Sequence, residues 1–170
     1  QDFCTRRLAH LLDLSRAKIQ AEYAATVTEQ RGLSTPLNAI TRNAPVTVAP
    51  DTPIGDALKR MEELRIGSLP VVDGESKPVG IFTRQDVIGR IVLPAVPLAA
   101  PISSVMSSPA LTLHGESTAG DAALLMARHG IRHVVVTSAE GQVAGVVSER
   151  GLFGRQRLSV RELTSAIRRA

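Results

Sequence analysis

The chain has 170 residues and a formal charge of +4, and its 44% hydrophobic and 21% charged composition is that of a globular protein, not a disordered one. Aromatic residues make up only 2% and Trp is absent, so stacking platforms for single-stranded nucleic acid are not expected, and the basic residues are scattered with no large patch. No stretch approaches the roughly 20 apolar residues that span a bilayer, Cys4 is alone, and the start lacks the parts of a signal peptide; the expectation is a cytosolic chain with neither nucleic-acid nor membrane partners.

From Phe3 to Arg31 there is no proline or glycine, and Leu8, Leu11, Leu12, Ile19, Tyr23 and Val27 share one broad apolar face. This predicts a long helix, ended by Gly32 and Pro36, within an N-terminal linker over 1–37. The alternating "VTV" at Val46–Val48 suits a short strand. Thr52 is then expected as an N-cap and Pro53 at the first helical position, ahead of an apolar stripe formed by Ile54, Ala57, Leu58, Met61 and Leu64. Gly67 lies just past that helix. Two strands, "LPVV" and "VGIF", flank the polar turn "DGESKP" and read as a hairpin, and a short helix opens at Thr83.

The same order of elements returns at a fixed offset of 65 residues, where Val46–Arg90 aligns without a gap on Leu111–Arg155. Eleven positions are identical, among them Gly55-Asp56-Ala57 with Gly120-Asp121-Ala122, Met61 with Met126, and Gly80 with Gly145. The second copy offers the strand "LTL", an N-cap at Ser117, a helix through Met126 stopped by Gly130, the hairpin "HVVVT"–"VAGVV", and a helix opening at Ser148. The expected organisation is one repeat over 38–99, a second over 100–158, and a closing helix over 159–170.

Thr83-x-x-Asp86 has the form of a helix capping box, with Asp in place of the usual Glu. A carboxylate one turn into a helix can also accept hydrogen bonds from both hydroxyls of a ribose, while the free N–H groups of that turn attract phosphate. Both readings stand on the sequence. The second copy has Gly151 where the first has Asp86, and glycine cannot hold a ribose diol. His129 and His133 are four apart, but Gly130 intervenes and no third ligand is near, so a metal site is not expected. Nor is catalysis by this chain alone, since no phosphate loop and no nucleophile paired with a base is present.

The element order, "SLPVVD", and above all "GIFTRQD" followed by "VIGRI" resemble a CBS domain, with "RHVVVTSAEGQVAGVVSERGLF" as a divergent sister. Two tandem copies resemble the CBS pair called a Bateman module. The flanks, "FCTRRLAHLLDLSRAKIQAEYA" and "LFGRQRLSVRELTSAIRRA", resemble the borders of the pair in bacterial proteins where a cyclic-nucleotide-binding-like domain precedes it and a nucleotidyltransferase-like domain follows. By that resemblance the chain is a middle portion of such a protein. The resemblance implies an α/β fold of the α+β kind, with two β-α-β-β-α repeats packed about a pseudo-two-fold axis.

It also implies a regulatory function, with an adenine nucleotide, AMP or ATP, bound in the cleft between the repeats. Asp86 and Thr83 would contact the nucleotide, the backbone of Ser68, Leu69 and Pro70 would meet the purine edge, and Val46 and Thr47 would form the opposite wall. Arg132 and His133 of the second copy would bring positive charge to phosphates, with Ser148 and Arg150 at the second, weaker site. A homodimer is expected through the apolar faces of Ile54–Leu64 and Ala119–Met126. The alternative is a structural dimerisation scaffold whose sites no longer bind.

Overall fold

The computed structural model describes residues 32–41 and 43–153; the expected N-terminal helix and the closing helix over 159–170 lie outside the described residues. From Pro36 onward the elements are α1 (Leu37–Ile40), α2 (Ile54–Glu63), β1 (Ser68–Val72), β2 (Pro78–Thr83) and α3 (Arg84–Asp86), which runs on into a π-helical turn, Val87–Val92. A 3-10 turn at Ile102–Ser104 leads to β3 (Thr112–His114), α4 (Ala119–His129), β4 (His133–Thr137), β5 (Val143–Ser148) and α5 (Glu149–Phe153). In each repeat an antiparallel hairpin, β1–β2 or β4–β5, carries a helix on one face, and the other faces meet through Ile81, Val135 and Val143. Strands buried on both sides explain the near-continuous apolar runs in "LPVV" and "HVVVT".

The first strand differs between the copies because of one residue. In the second repeat β3 pairs in parallel with β4, and Val135 donates its N–H to Leu111 O at 3.2 Å. The equivalent donor in the first repeat would be Pro70, which has no N–H. The expected "VTV" strand accordingly shrinks to a single parallel bridge between Val48 and Val71, and the first sheet has two strands where the second has three.

The segment before each repeat packs into the other one. Leu37 is fully buried with Ala122, Met126 and Val134 of the second repeat, whereas Ile102 is fully buried with Ile54, Ala57 and Met61 of the first. The backbone bonds match at the same offset of 65: Leu37 N to Ser117 O and Ile102 N to Thr52 O are both 2.8 Å, and Pro36 bridges Thr118 as Pro101 bridges Pro53. Two glycines make room for this exchange. A Cβ on Gly145 would lie 2.7 Å from Thr41 Cβ, and one on Gly80 would lie 2.5 Å from Met106 Sδ and 2.9 Å from Ser107 O. The repeat therefore reaches back to Pro36 and Pro101, beyond the aligned "VTV" and "LTL".

Several local expectations are corrected. α4 is capped one residue later than expected, by Thr118, because Ser117 O is engaged by Leu37 N. Pro53, not Thr52, stands at the N-cap of α2. Gly130 does take the left-handed position after α4 (φ 62°), but in the first repeat Arg65 (φ 52°) fills that place, not Gly67. The faces expected to dimerise are mostly internal: Ile54, Ala57, Met61, Ala119, Ala122 and Met126 are all buried within the chain. Among the described residues the exposed large apolar side chains are Ile88, Val92 and Leu93 on and beside the π-helical turn, Leu33 and Leu98, and, from the two expected faces, only Leu64 and Leu124.

Candidate functional site

β2 ends in the extended residue Thr83, and the chain turns into α3 with Asp86 one turn in. Asp86 Oδ2 accepts from both Thr83 N and Thr83 Oγ1, each at 2.8 Å, and the residue is only 9% exposed. This is the expected capping box. Its second oxygen, Oδ1, lies 3.4 Å from Arg90 Nε, one helical turn on. Arg90 Nη1 in turn donates to Val105 O at 3.1 Å and Met106 O at 2.8 Å. Thr118 and Asp121 build the same box at the start of α4, with Asp121 Oδ2 at 2.8 and 2.9 Å from Thr118 N and Oγ1. Those two bonds, the N–H first, hold the Asp121 carboxyl below its usual value. What sets Asp86 apart is therefore not its cap but the arginine and the cleft beside it.

Two clefts lie between the repeats. One, of about 340 Å³, is lined by Thr83, Asp86 and Arg90 of the first repeat with Ser107, Leu111 and Arg132 from the far side. The other, of about 440 Å³, is lined by Thr41, Val46, Ser68, Pro70, Gly145 and Ser148. His133 borders both. The residues expected together at the first site are thus divided: Thr83 and Asp86 share a cleft with Arg132 and His133, whereas Val46, Ser68 and Pro70 line the other cleft with Ser148, expected at the second site. The side chain of Leu69 is fully buried against α2, and neither Thr47 nor the exposed Arg150 lines either cleft.

The division follows from the edges of the first sheet. β1 pairs with Val48 on its outer side, so Ser68 and Pro70 look toward residues 43–46. β2 is bridged on its outer side by Ser107, through Ile81 N to Ser107 O and Ser107 N to Ile81 O, both 2.9 Å. The chain then runs on to β3, which pairs with β4. The Asp86 carboxylate, one turn beyond β2, and the start of β4 are consequently held against one connecting stretch, Ser107–Leu111. Gln85, Arg90, Ser107 and Leu111 were missed as lining residues. Leu111 was within reach, since it is the partner of Val46 in the repeat.

Of the cations in the Asp86 cleft, Arg132 is largely exposed, with Nε 3.8 Å from Glu149 Oε2. The His133 ring packs on Gly67, whose Cβ, if present, would lie 3.3 Å from Nε2. Burial first, then the neighbouring Arg132, lowers the His133 pKa below its ordinary value. The unfolded chain therefore takes up a proton near pH 6.5 that the folded chain refuses, so the His133 contribution is complete above that pH and is lost as pH falls toward the folded value. Wild type should lose urea resistance between pH 7.5 and 5.5, and His133→Gln should lose less; an equal loss in both would contradict this account.

In the other cleft Ser148 Oγ accepts from Gly151 N at 3.0 Å, so the cap survives without the acid. Among the described residues, none holds a metal-binding group of three His, Cys, Asp or Glu side chains, and no helix is long and apolar enough to cross a membrane.

Two clefts, each bordered by the helix cap of one repeat and the strand starts of the other, characterise this tandem-repeat module. The chain belongs to the CBS domain family, which matches it over residues 37–93 and 102–156. It is 28% identical over 120 residues to an uncharacterised 17.7 kDa protein of Acidianus ambivalens, covering 71% of this chain and 72% of that one. It is 31% identical over 114 residues to the inosine-5'-monophosphate dehydrogenase of Aquifex aeolicus, covering 66% of this chain but only 23% of the dehydrogenase. Among solved structures it resembles the CBS domain pair of protein MJ0100 in complex with 5'-methylthioadenosine and S-adenosyl-L-methionine. The TM-score is 0.64 and the identity 26%, with 72% of this chain and 98% of that one covered.

Proposed function

We propose that this CBS pair is a regulatory module that binds a phosphorylated adenosine ligand, AMP or ATP, in the Asp86 cleft and modulates a neighbouring domain. The observation that carries the reading is the division of labour on one carboxylate: Thr83 occupies Oδ2, and Oδ1, which lies 3.4 Å from Arg90 Nε, has lone-pair capacity beyond that contact for a ribose diol in a cleft also bordered by Arg132. The 5'-methylthioadenosine and S-adenosyl-L-methionine of the MJ0100 pair support the adenosine part of that ligand. The sequence resemblance of the flanking segments supports a preceding cyclic-nucleotide-binding-like domain and a following nucleotidyltransferase-like domain as the modulated neighbours; a cytoplasmic homodimer is part of the same proposal. The module would bind its ligand without turning it over.

Calorimetry with AMP, ADP, ATP, S-adenosylmethionine and adenosine tests this reading. One strong site per chain for a phosphorylated ligand, recovered unchanged, is expected. Two equal sites would reject the asymmetry between Asp86 and Gly151. Silence across the panel would favour the second reading, a dimerisation scaffold, to which the exposed Ile88, Val92 and Leu93 lend support.

A further inference from the structure

Resting on the nucleoside reading of the Asp86 cleft, we infer that Arg90 is the residue that makes this cleft prefer a phosphorylated adenosine over an uncharged one. A bare carboxylate that holds a ribose also repels the phosphate on the same molecule. Arg90 meets that carboxylate directly, with Nε 3.4 Å from Asp86 Oδ1. Its guanidinium is fixed by two further acceptors, Val105 O at 3.1 Å and Met106 O at 2.8 Å. These come from the segment that goes on to form the opposite wall, so the cation is held in place before any ligand arrives.

The charged and titratable side chains bordering the cleft are Asp86, Arg90, Arg132 and His133. Asp86 and Arg90 offset each other, His133 is held toward its neutral form, and Arg132 is spread between solvent and Glu149. With Arg90 present the cleft wall is net positive; without it only the largely exposed Arg132, shared with Glu149, is left to offset Asp86 against an incoming phosphate. A guanidinium also offers donors in a fixed planar fork, and its three present contacts use only Nε and Nη1. The remaining Nη2 group is the donor assigned to phosphate.

The test compares AMP with adenosine on the full chain. In wild type, AMP should bind more tightly than adenosine by calorimetry. Arg90→Met should weaken AMP about tenfold or more while changing adenosine less than about threefold, so that the ratio collapses. Arg90→Lys keeps the charge and should retain a preference for AMP. A purely structural arginine, which only ties Asp86 to the Val105–Met106 segment, would weaken both ligands alike, and that result overturns the inference while leaving the nucleoside reading intact. If neither ligand binds wild type, both fall. If Arg90→Met does not fold by its thermal melt, the AMP-to-adenosine ratio of Arg90→Lys and its dependence on salt decide: a ratio near one, or one unchanged by salt, overturns the inference.

Discussion

Replacing Leu37 by alanine should destabilise the second repeat, although in the chain Leu37 directly precedes the first. Its side chain is fully buried among Ala122, Met126, Val134, Val136 and Val147. Truncating a buried leucine costs roughly 2–5 kcal/mol, the range reflecting how far the surroundings can collapse. Here the partners belong to a helix and two strands of a sheet, which leaves little freedom to close the hole. Ile102→Ala should mirror it, with a loss of similar size falling on the first repeat, where Ile102 packs against Ile54, Ala57 and Met61. Urea denaturation measures the losses, and amide exchange locates them. Leu37→Ala should open amides of Thr112–Ser148 first, and Ile102→Ala those of Ile54–Thr83. Loosening of the nearer repeat in each case would show that the segments are not exchanged in solution.

The larger functional effect is expected at Asp86. Asp86→Ala removes the acceptor for one or two charge-assisted hydrogen bonds from a ribose, each worth roughly 1.5–3 kcal/mol, so affinity should fall by about tenfold or more. The same change removes a capping-box acceptor, for which about 1 kcal/mol of stability is the usual cost. The two effects separate cleanly when affinity is measured by calorimetry on protein shown to be folded. Unchanged affinity in a folded but less stable variant would leave Asp86 as a cap alone. The converse change, Gly151→Asp, brings a Cβ to 3.1 Å from Ser148 Oγ, a tight contact that the serine hydroxyl must relieve by a few tenths of an ångström; that hydroxyl is the counterpart of the Thr83 hydroxyl that hydrogen-bonds Asp86. A partial gain of binding in the Ser148 cleft is the expected outcome.

The repeat, the two hairpins and the capping box at Thr83 could all be read from the residues, because each depends on periodicity or on side chains a few positions apart. The grouping of the site could not. Ser68 and Thr83 are cross-strand partners, yet they line different clefts, because what faces each is set by the outer edges of the sheet, not by the hairpin itself. The exchange of leading segments was hidden for a similar reason. Between Pro36 and Pro45 only Pro36 is identical to its counterpart, Pro101, so identity fades before the docking segment is reached. The burial of Leu37 and Ile102 nevertheless follows a hydrophobic match that a search for similarity, in place of identity, would have extended. The exposed faces were misjudged because an apolar helical stripe looks the same whether its own sheet or another subunit covers it.

The exchange of segments also bears on how such a chain could be assembled from its parts. A polypeptide carrying one copy only, with its own leading segment, could not place that segment on its own helix: in this fold Pro36–Ile40 is at home on Ala119–Met126, and Pro101–Val105 on Ile54–Met61. The open place would be filled by a second identical polypeptide donating its own segment in return, and because the exchange is reciprocal it closes on itself as a two-fold pair with nothing left over to propagate a chain of subunits. Joining two such copies end to end converts that pair into one molecule. Once the two halves share a chain they need no longer be identical, which is the condition under which one cleft can keep an acid at Asp86 while the other carries Gly151.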